Sequence, residues 1–457
     1  VSVYYSDDTV TLHLGEMLDV LPTLPDASVD AVVCDPPYGL ANHHPRVIAE
    51  VLAAWLSGDR AYVPTDGQGG FMGRAWDRFV PPPAAWDECL RVLKPGGHLV
   101  AFAAPRTADL MGMAIRLAGF EIRDSIMWVS GSGFPKSLNV AKAIEAGGGR
   151  PEDIRRMQMG ADYSPSGRGR VNYDHGAGSA MGAVAQEWAP TTPDAACWEG
   201  WGTALKPAHE PIVVARKPPA GTVAANVLEH GTGALNIDGS RVASTGESRE
   251  RVGEASQARR YTEQGGTNFA ALPGRRGGDP SGRWPTNVLL GHGPECVEDG
   301  PCQAGCPVAE MDRQSGVTPS NARANKGERH GSVYGGGHGP SGPAGPRGVV
   351  DSGGASRFFP VFRYEAKAPA FERPRLADGT AWPTVKPLAL MRWLVRLVTP
   401  PGGLVLDWCA GTGTTLEAAA IEGFQAIGVE REQDGADLCV ARLSKPIAPV
   451  LFGEVTA

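Results

Sequence analysis

The sequence predicts an α/β fold: a doubly wound, mostly parallel sheet interrupted by a long, loop-rich insertion. Two observations carry that expectation. At both ends of the chain, apolar runs of strand length alternate with stretches of helical spacing, as in a parallel sheet with helical crossovers. Between residues 146 and 379 that pattern breaks up, and glycine and proline (61 and 39 of 457 residues overall) concentrate there. The expected organisation is a first half-core over 1–145, a loop-rich insertion over 146–375 and a second half-core over 376–457. About 206–218 is expected to return from the insertion to the core sheet.

In order along the chain, Val10-Thr11-Leu12-His13-Leu14 alternates as a strand, and Gly15-Glu16 leads into a short helix over 17–24. The next strand spans 28–34, its run Asp30-Ala31-Val32-Val33-Cys34 reading as buried. Helical spacing over 86–93 stops at Lys94-Pro95-Gly96-Gly97, a helix terminator, before the strand His98-Leu99-Val100-Ala101-Phe102. A helix over 107–117 ends at Gly119, and a strand covers 120–129. Ile212-Val213-Val214-Ala215 is a further strand. In the middle, short structured islands at 223–228, 284–290 and 358–364 alternate with loops expected at 146–195, 244–282 and 316–354. Order returns with an amphipathic helix over 388–398, stopped by Thr399-Pro400-Pro401-Gly402-Gly403. Strand Leu404-Val405-Leu406-Asp407, a Gly-containing loop over 408–413, a helix over 414–422 and the strand Ala426-Ile427-Gly428-Val429 follow.

The length is that of two or three domains. No run of about 18 apolar residues is present, so no membrane span is expected. The first residues lack a basic segment followed by an apolar one, which favours a cytoplasmic protein without a secretory signal. Eight cysteines in so long a chain do not make a disulfide scaffold. The net charge of −7 does not mark a nucleic-acid binder, although whole-chain charge can hide local basic patches.

Two motifs carry chemistry. Asp35-Pro36-Pro37-Tyr38 follows a buried strand, and its two prolines fix the backbone and remove two donors. An acid, stiff carbonyls and an aromatic ring in one loop suit a planar base with an amino group: acid and carbonyl accept its N–H bonds, and the ring stacks on its face. Read blandly, the same residues make a Pro-rich turn capped by Asp35, with Tyr38 at the rim of the core. The second motif is a strand ending in Asp407, the loop Gly411-Thr412-Gly413, a helix opening at Thr414 and a strand ending in Glu430. Its glycines admit a ligand close to the backbone, and the acid can accept ribose hydroxyls. Leu416 replaces the third glycine of a dinucleotide fingerprint and no phosphate loop follows, so S-adenosylmethionine (SAM) fits better than a dinucleotide.

In this order the motifs resemble the SAM-dependent amino-methyltransferases of DNA, in the circularly permuted β-type arrangement and the adenine-N6 subgroup of phage and bacterial enzymes. Leu14-Gly15-Glu16-Met17-Leu18 and Pro383-Thr384-Val385-Lys386-Pro387 add to the likeness, as do 128–137, 206–218 and 356–368. The resemblance implies a Rossmann-like class I methyltransferase core. It implies catalytic roles for Asp35, Pro36, Pro37 and Tyr38, and SAM contacts for Glu16, Lys386, Asp407, Cys409, Gly411, Gly413, Thr414 and Glu430, with Lys386 at the cofactor's carboxylate. Two departures stand out: Trp408-Cys409 where the family has Pro-Phe, and Trp382 where a His is frequent. Asp at position 35 implies adenine N6, whereas cytosine-N4 enzymes more often carry Ser. The substrate implied is double-stranded DNA with a flipped base; a homodimer and a cognate restriction nuclease encoded elsewhere are further partners to consider. An RNA or protein-amide methylase, or an inactive DNA-binding protein, are the alternatives; Asp35 and the long insertion speak against the first, the intact motifs against the second.

His292, Cys296, Cys302 and Cys306 put four soft ligands within fifteen residues, the composition of a small structural zinc site; free thiols are the alternative. For DNA contact, 313–375 carries ten Lys/Arg against four Asp/Glu, and 241–283 eight against five. Such Gly/Arg-rich stretches suit a phosphate backbone, or serve merely as solvated linkers.

Overall fold

A computed structural model of the chain describes residues 2–65, 70, 73–131, 137–146, 189–242, 250–254, 274–277, 282–293, 296, 301–319, 352–362, 375, 379, 382 and 385–445. They fall into two compact units, one of 1–132 with 209–457 and one of 133–208.

The larger unit is built on ten strands: β1 Ser2–Ser6, β2 Val10–Leu14, β3 Val29–Cys34, β4 Leu93–Phe102, β5 Glu121–Val129, β6 His209–Arg216, β7 Val288–Gly291, β8 Val361–Phe362, β9 Leu404–Asp407 and β10 Gln425–Glu430. They make one sheet in the order β1-β2-β10-β9-β3-β4-β6-β5-β7-β8. Pairing is parallel except where β1 meets β2 and where β6 runs against both β4 and β5. The chain leaves β3 toward β4 on one side and leaves β9 toward β10 on the other. The loops after β3 and β9 therefore open at the topological switch point, where doubly wound sheets bind ligands.

Strand residues alternate between two cores, as period-2 side chains must. Ala31 and Val33 face one core with Val100 and Val405; Val32 and Cys34 face the other with Leu99 and Leu406. Helices α1 Met17–Val20, α2 Pro45–Ser57, α3 Pro83–Val92 and α4 Ala108–Leu117 contribute to the second core. Of the later helices, α5 Val223–His230, α6 Pro307–Ser315, α7 Leu388–Val398, α8 Thr414–Ile421 and α9 Gln433–Leu443, the last three contribute to the first.

Asp30 locks the centre of the sheet. Buried in β3, it accepts the Leu404 N–H of β9 at 2.8 Å through Oδ2 and pairs with Lys94 of β4 at 2.7 Å through Oδ1. One carboxylate thus fixes both neighbours of β3, next to the parallel register of Val405 with Ala31 and Leu406 with Val32.

The structure departs from the sequence-based expectations in several places. Lys94-Pro95-Gly96-Gly97 does stop α3, at Val92, but the segment itself opens β4. Gly96 has φ +77°, and a Cβ there would lie 2.4 Å from Asn226 Nδ2, which donates to the Pro95 carbonyl; long-range packing decides this backbone. The helix after Gly15 ends at Val20 and continues as a single 3-10 turn, because Pro22 enters there. Strand β1 went unread, its exposed positions masking the alternation. Within stretches expected to be loops, 250–254 pairs with 274–277 and 318–319 with 352–353 as short antiparallel ribbons, and a helical turn forms at Pro193–Ala196. The insertion also returns β7 and β8 to the sheet in addition to β6. Most of the two basic stretches, and part of 356–368, lie outside the described residues.

In the smaller unit, Asn139 and Thr192 cap the helices Val140–Glu145 and Pro193–Ala196, and the Glu145 carboxylate accepts from the Thr191 and Thr192 N–H groups. Among the described residues no helix is long and apolar enough to cross a membrane.

Asp30→Ala would leave the Leu404 N–H and the Lys94 ammonium without their carboxylate. A loss of about 2–3 kcal/mol is expected, read as a lower urea midpoint, whereas Asp30→Asn should lose less.

Candidate active site

The loop after β3 carries the Asp-Pro-Pro-Tyr motif, and a buried acid distant in sequence holds it in shape. Asp77 Oδ1 accepts the Tyr38 N–H at 2.6 Å and the Gly39 N–H at 3.0 Å, and Oδ2 accepts the Leu40 N–H at 3.3 Å. Thr107 Oγ1 donates to the Tyr38 carbonyl at 2.5 Å, and Arg106 to the Leu40 carbonyl at 2.8 Å. Gly39 cannot be replaced in this geometry: its φ is +69°, and a Cβ would sit 2.6 Å from the Val80 nitrogen.

Asp35, half-buried, uses both oxygens. Tyr38 Oη approaches Oδ1 at 2.8 Å, and Lys386 Nζ donates to Oδ2 at 2.7 Å. Glu210 from β6 faces the same two partners, at 2.9 Å from Tyr38 Oη and 3.4 Å from Lys386 Nζ. Lys386 Nζ also lies 3.0 Å from Tyr38 Oη and 4.8 Å from the centre of the Phe102 ring. Two carboxylates therefore share one ammonium and one phenolic proton. Burial alone would lower the Lys386 pKa, but Asp35 and Glu210 outweigh it and raise the value, so the lysine stays charged. Burial, followed by the same two carboxylates, lifts Tyr38 well above the ordinary phenol, so it remains a donor.

The loop after β9 lies beside this group. A cavity of 660 Å³, within the usual range for small-molecule sites, is lined by Glu16, Asp35, Pro37, Cys409, Gly411 and Glu430, together with Trp382 and Trp408. It thus brings the acid of the first motif together with the glycine and the strand-end acid of the second. Glu430 is buried; it accepts the Gly411 N–H and the Glu432 N–H, each at 2.7 Å, while desolvation raises its pKa. Glu16 is exposed and lies 3.5 Å from Arg431.

Other expected site residues lie elsewhere. Pro36 and Tyr38 do not line the cavity, and Lys386 reaches Asp35 rather than the cavity wall. Gly413 (φ +78°) packs closely on α9: a Cβ there would lie 2.4 Å from Cys439 Sγ. Asp407 and Thr414 are buried. Asp407 accepts the Cys409 N–H at 3.1 Å, and Cys409 occupies the cavity wall where the resemblance has Phe. Asp77 and Glu210 were not singled out from sequence, since isolated acids far from either motif give no local signal.

A family model for DNA methylases of the N6/N4 type matches residues 29–440. The chain belongs to the N6/N4 DNA methylase family. Among curated relatives of this chain, the type II methyltransferase M.BamHI of Bacillus amyloliquefaciens is 26% identical over 107 residues, 23% of this chain and 20% of that protein. M.ScaI of Streptomyces caespitosus is 33% identical over 85 residues, 19% of this chain and 26% of that protein. The chain therefore aligns with about a fifth to a quarter of the length of these relatives. Of solved structures, the cytosine-N4-specific PvuII DNA methyltransferase matches at 11% identity and a TM-score of 0.38, covering 96% of this chain and 88% of that one. The M1.HpyAVI–SAM complex matches at 13% and 0.34, covering 95% and 99%.

The cluster His292, Cys296, Cys302 and Cys306 is also assembled, its ligand atoms all within 4.8 Å of one another.

A pH prediction follows from Asp407. Burial pushes its pKa up from 3.8 to about 7, against hydrogen bonds from Thr415 and Cys409. The folded chain then binds this proton more tightly than the unfolded chain, so the stabilisation is complete below the ordinary carboxylate pKa and is lost as pH rises toward 7. Asp407→Asn, which cannot ionise, should gain melting temperature relative to the parent between pH 4 and 7. A difference that stays constant across that window would contradict the assignment.

Proposed function

We propose that the protein transfers a methyl group from SAM to the exocyclic N6 amino group of an adenine flipped out of double-stranded DNA. The observation that carries this reading is the cavity shared by Asp35 and Pro37 with Glu16, Gly411 and Glu430. Residue types suited to an amino-bearing base and to a nucleoside-like donor line one space.

SAM fits the second loop on the chemistry of its donors. The Glu430 carboxylate retains lone pairs for ribose hydroxyls beyond the two N–H bonds it accepts. When bound, SAM supplies a methyl group already activated by its sulfonium charge. The chain's own task is orientation and charge stabilisation. Asp35 and the Pro36 carbonyl would each accept a hydrogen from the amino group, favouring the pyramidal nitrogen whose lone pair is free. They would also stabilise the positive charge developing there. The nitrogen's surplus proton then leaves by way of the Asp35 carboxylate to water.

Both Asp35 oxygens are already engaged, so one must be freed before it can accept from a base. Glu210 offers the alternative acceptor to Tyr38 and Lys386 alike. It is a positioning residue in this reading: the ammonium and the phenol shift toward Glu210 as the base enters. Asp at position 35 favours adenine over cytosine N4 by resemblance alone.

The test is incubation of unmodified DNA with labelled SAM, followed by nucleoside analysis. Label in N6-methyldeoxyadenosine is expected; label in N4-methyldeoxycytidine would overturn the choice of base, and label only in RNA or protein would overturn the DNA reading. Asp35→Ala should lower the rate by on the order of 10²–10³ while SAM binding persists. Glu210→Gln should lower it by about tenfold, ~1.4 kcal/mol, and adding Lys386→Met to Glu210→Gln should recover part of that loss. A double variant no faster than Glu210→Gln would remove the shuttling role of Glu210.

A further inference from the structure

We propose that His292, Cys296, Cys302 and Cys306 bind one divalent zinc ion that fastens the β7–β8 edge of the sheet. This inference is independent of the methyl-transfer reading.

The geometry is that of a closed tetrahedral site. His292 Nδ1 lies 3.4 Å from Cys302 Sγ and 3.6 Å from Cys306 Sγ, and all four ligand atoms lie within 4.8 Å of one another. Zinc bonds of about 2.3 Å to sulfur and about 2.0 Å to nitrogen put tetrahedral neighbours roughly 3.5–3.8 Å apart, so one ion fits between them with little movement. Three thiolates and an imidazole favour zinc over the hard cations, which take oxygen ligands. With four protein ligands no coordination position is left open, so the ion is structural.

Backbone groups also approach the cluster. Cys306 is the N-cap residue of α6, at the start of that helix. The Gln303 N–H approaches Cys296 Sγ at 3.4 Å. A backbone donor of this kind orients a ligating sulfur, as the outer shell of a metal site does.

The fold also explains why an ion is needed there. His292 directly follows β7, and its N–H donates to the Phe362 carbonyl of β8 at 2.9 Å. Strand β8 is two residues long, at the edge of the sheet. Among the described residues the local apolar cluster has three buried members, Leu290, Cys306 and Val308, with half-buried side chains such as Met311 and Phe359 packed on them. A metal ion there would add to the order that so small a cluster supplies by burial. One ion would join the end of β7, the two loop cysteines and the start of α6.

The test uses the full chain, purified without a histidine tag. Elemental analysis should find one zinc per chain. Exchange with cobalt should give a tetrahedral visible spectrum and a near-ultraviolet thiolate-to-cobalt band of three-thiolate intensity. Cys302→His should keep one metal per chain while that band falls by about a third. Cys197→Ser, at an exposed cysteine outside the cluster, should change neither. Substoichiometric metal in the parent chain would overturn the proposal, as would a charge-transfer band unchanged in Cys302→His; the parent measurement stands even if the variant fails to fold.

Discussion

The parallel pairing of β3 with β9 is the constraint on which the rest depends. The first carries Asp35 just past its end, and the second carries the Gly411 loop just past its own. They lie some 370 residues apart in the chain, yet Leu406 pairs with Val32 in the middle of the sheet. A slip of one residue would turn every side chain of β9 to the opposite core. Asp30 opposes such a slip, because its carboxylate reaches β4 and β9 at once. The cavity exists because these two strand ends share one edge at the switch point of the sheet.

Charge is the second organising element. Asp35 and Glu210 surround a single lysine and a single phenol, so neither the ammonium nor the hydroxyl belongs to one acid. The buried Asp77 acts on the same loop through the backbone, collecting three N–H groups that the turn cannot satisfy internally. The loop's shape and its charge balance are thus set by acids outside the motif. This explains how a four-residue signature can be rigid while its neighbours differ from the family pattern, as Trp408 and Cys409 do.

What the sequence made legible follows from locality. Asp35-Pro36-Pro37-Tyr38 and the Gly411-Thr412-Gly413 loop could be read because their residue types constrain the chain over a few positions. The same holds for β3 and β9, whose short apolar runs end in acids, and for the His/Cys cluster with its close spacing. Asp77 and Glu210 could not be read, since they act across 39 and 172 residues, and a lone acid looks like any solvated charge. The contact of Lys386 with Asp35 could not be read either, because it is made by tertiary packing across 351 residues. Lys94-Pro95-Gly96-Gly97 read as a break between elements and proved to open β4, where Asn226 packs against Gly96. The packing of Gly413 against Cys439 of α9 gave no local signal.

The central claim is that one cavity presents a methyl donor to the amino acceptor site at Asp35. A structure determined with SAM bound tests it most directly. The account predicts the adenosine between Glu16 and Glu430, with the sulfonium methyl directed toward Asp35. SAM bound outside this cavity, or bound within it with the methyl turned away from Asp35, would contradict it.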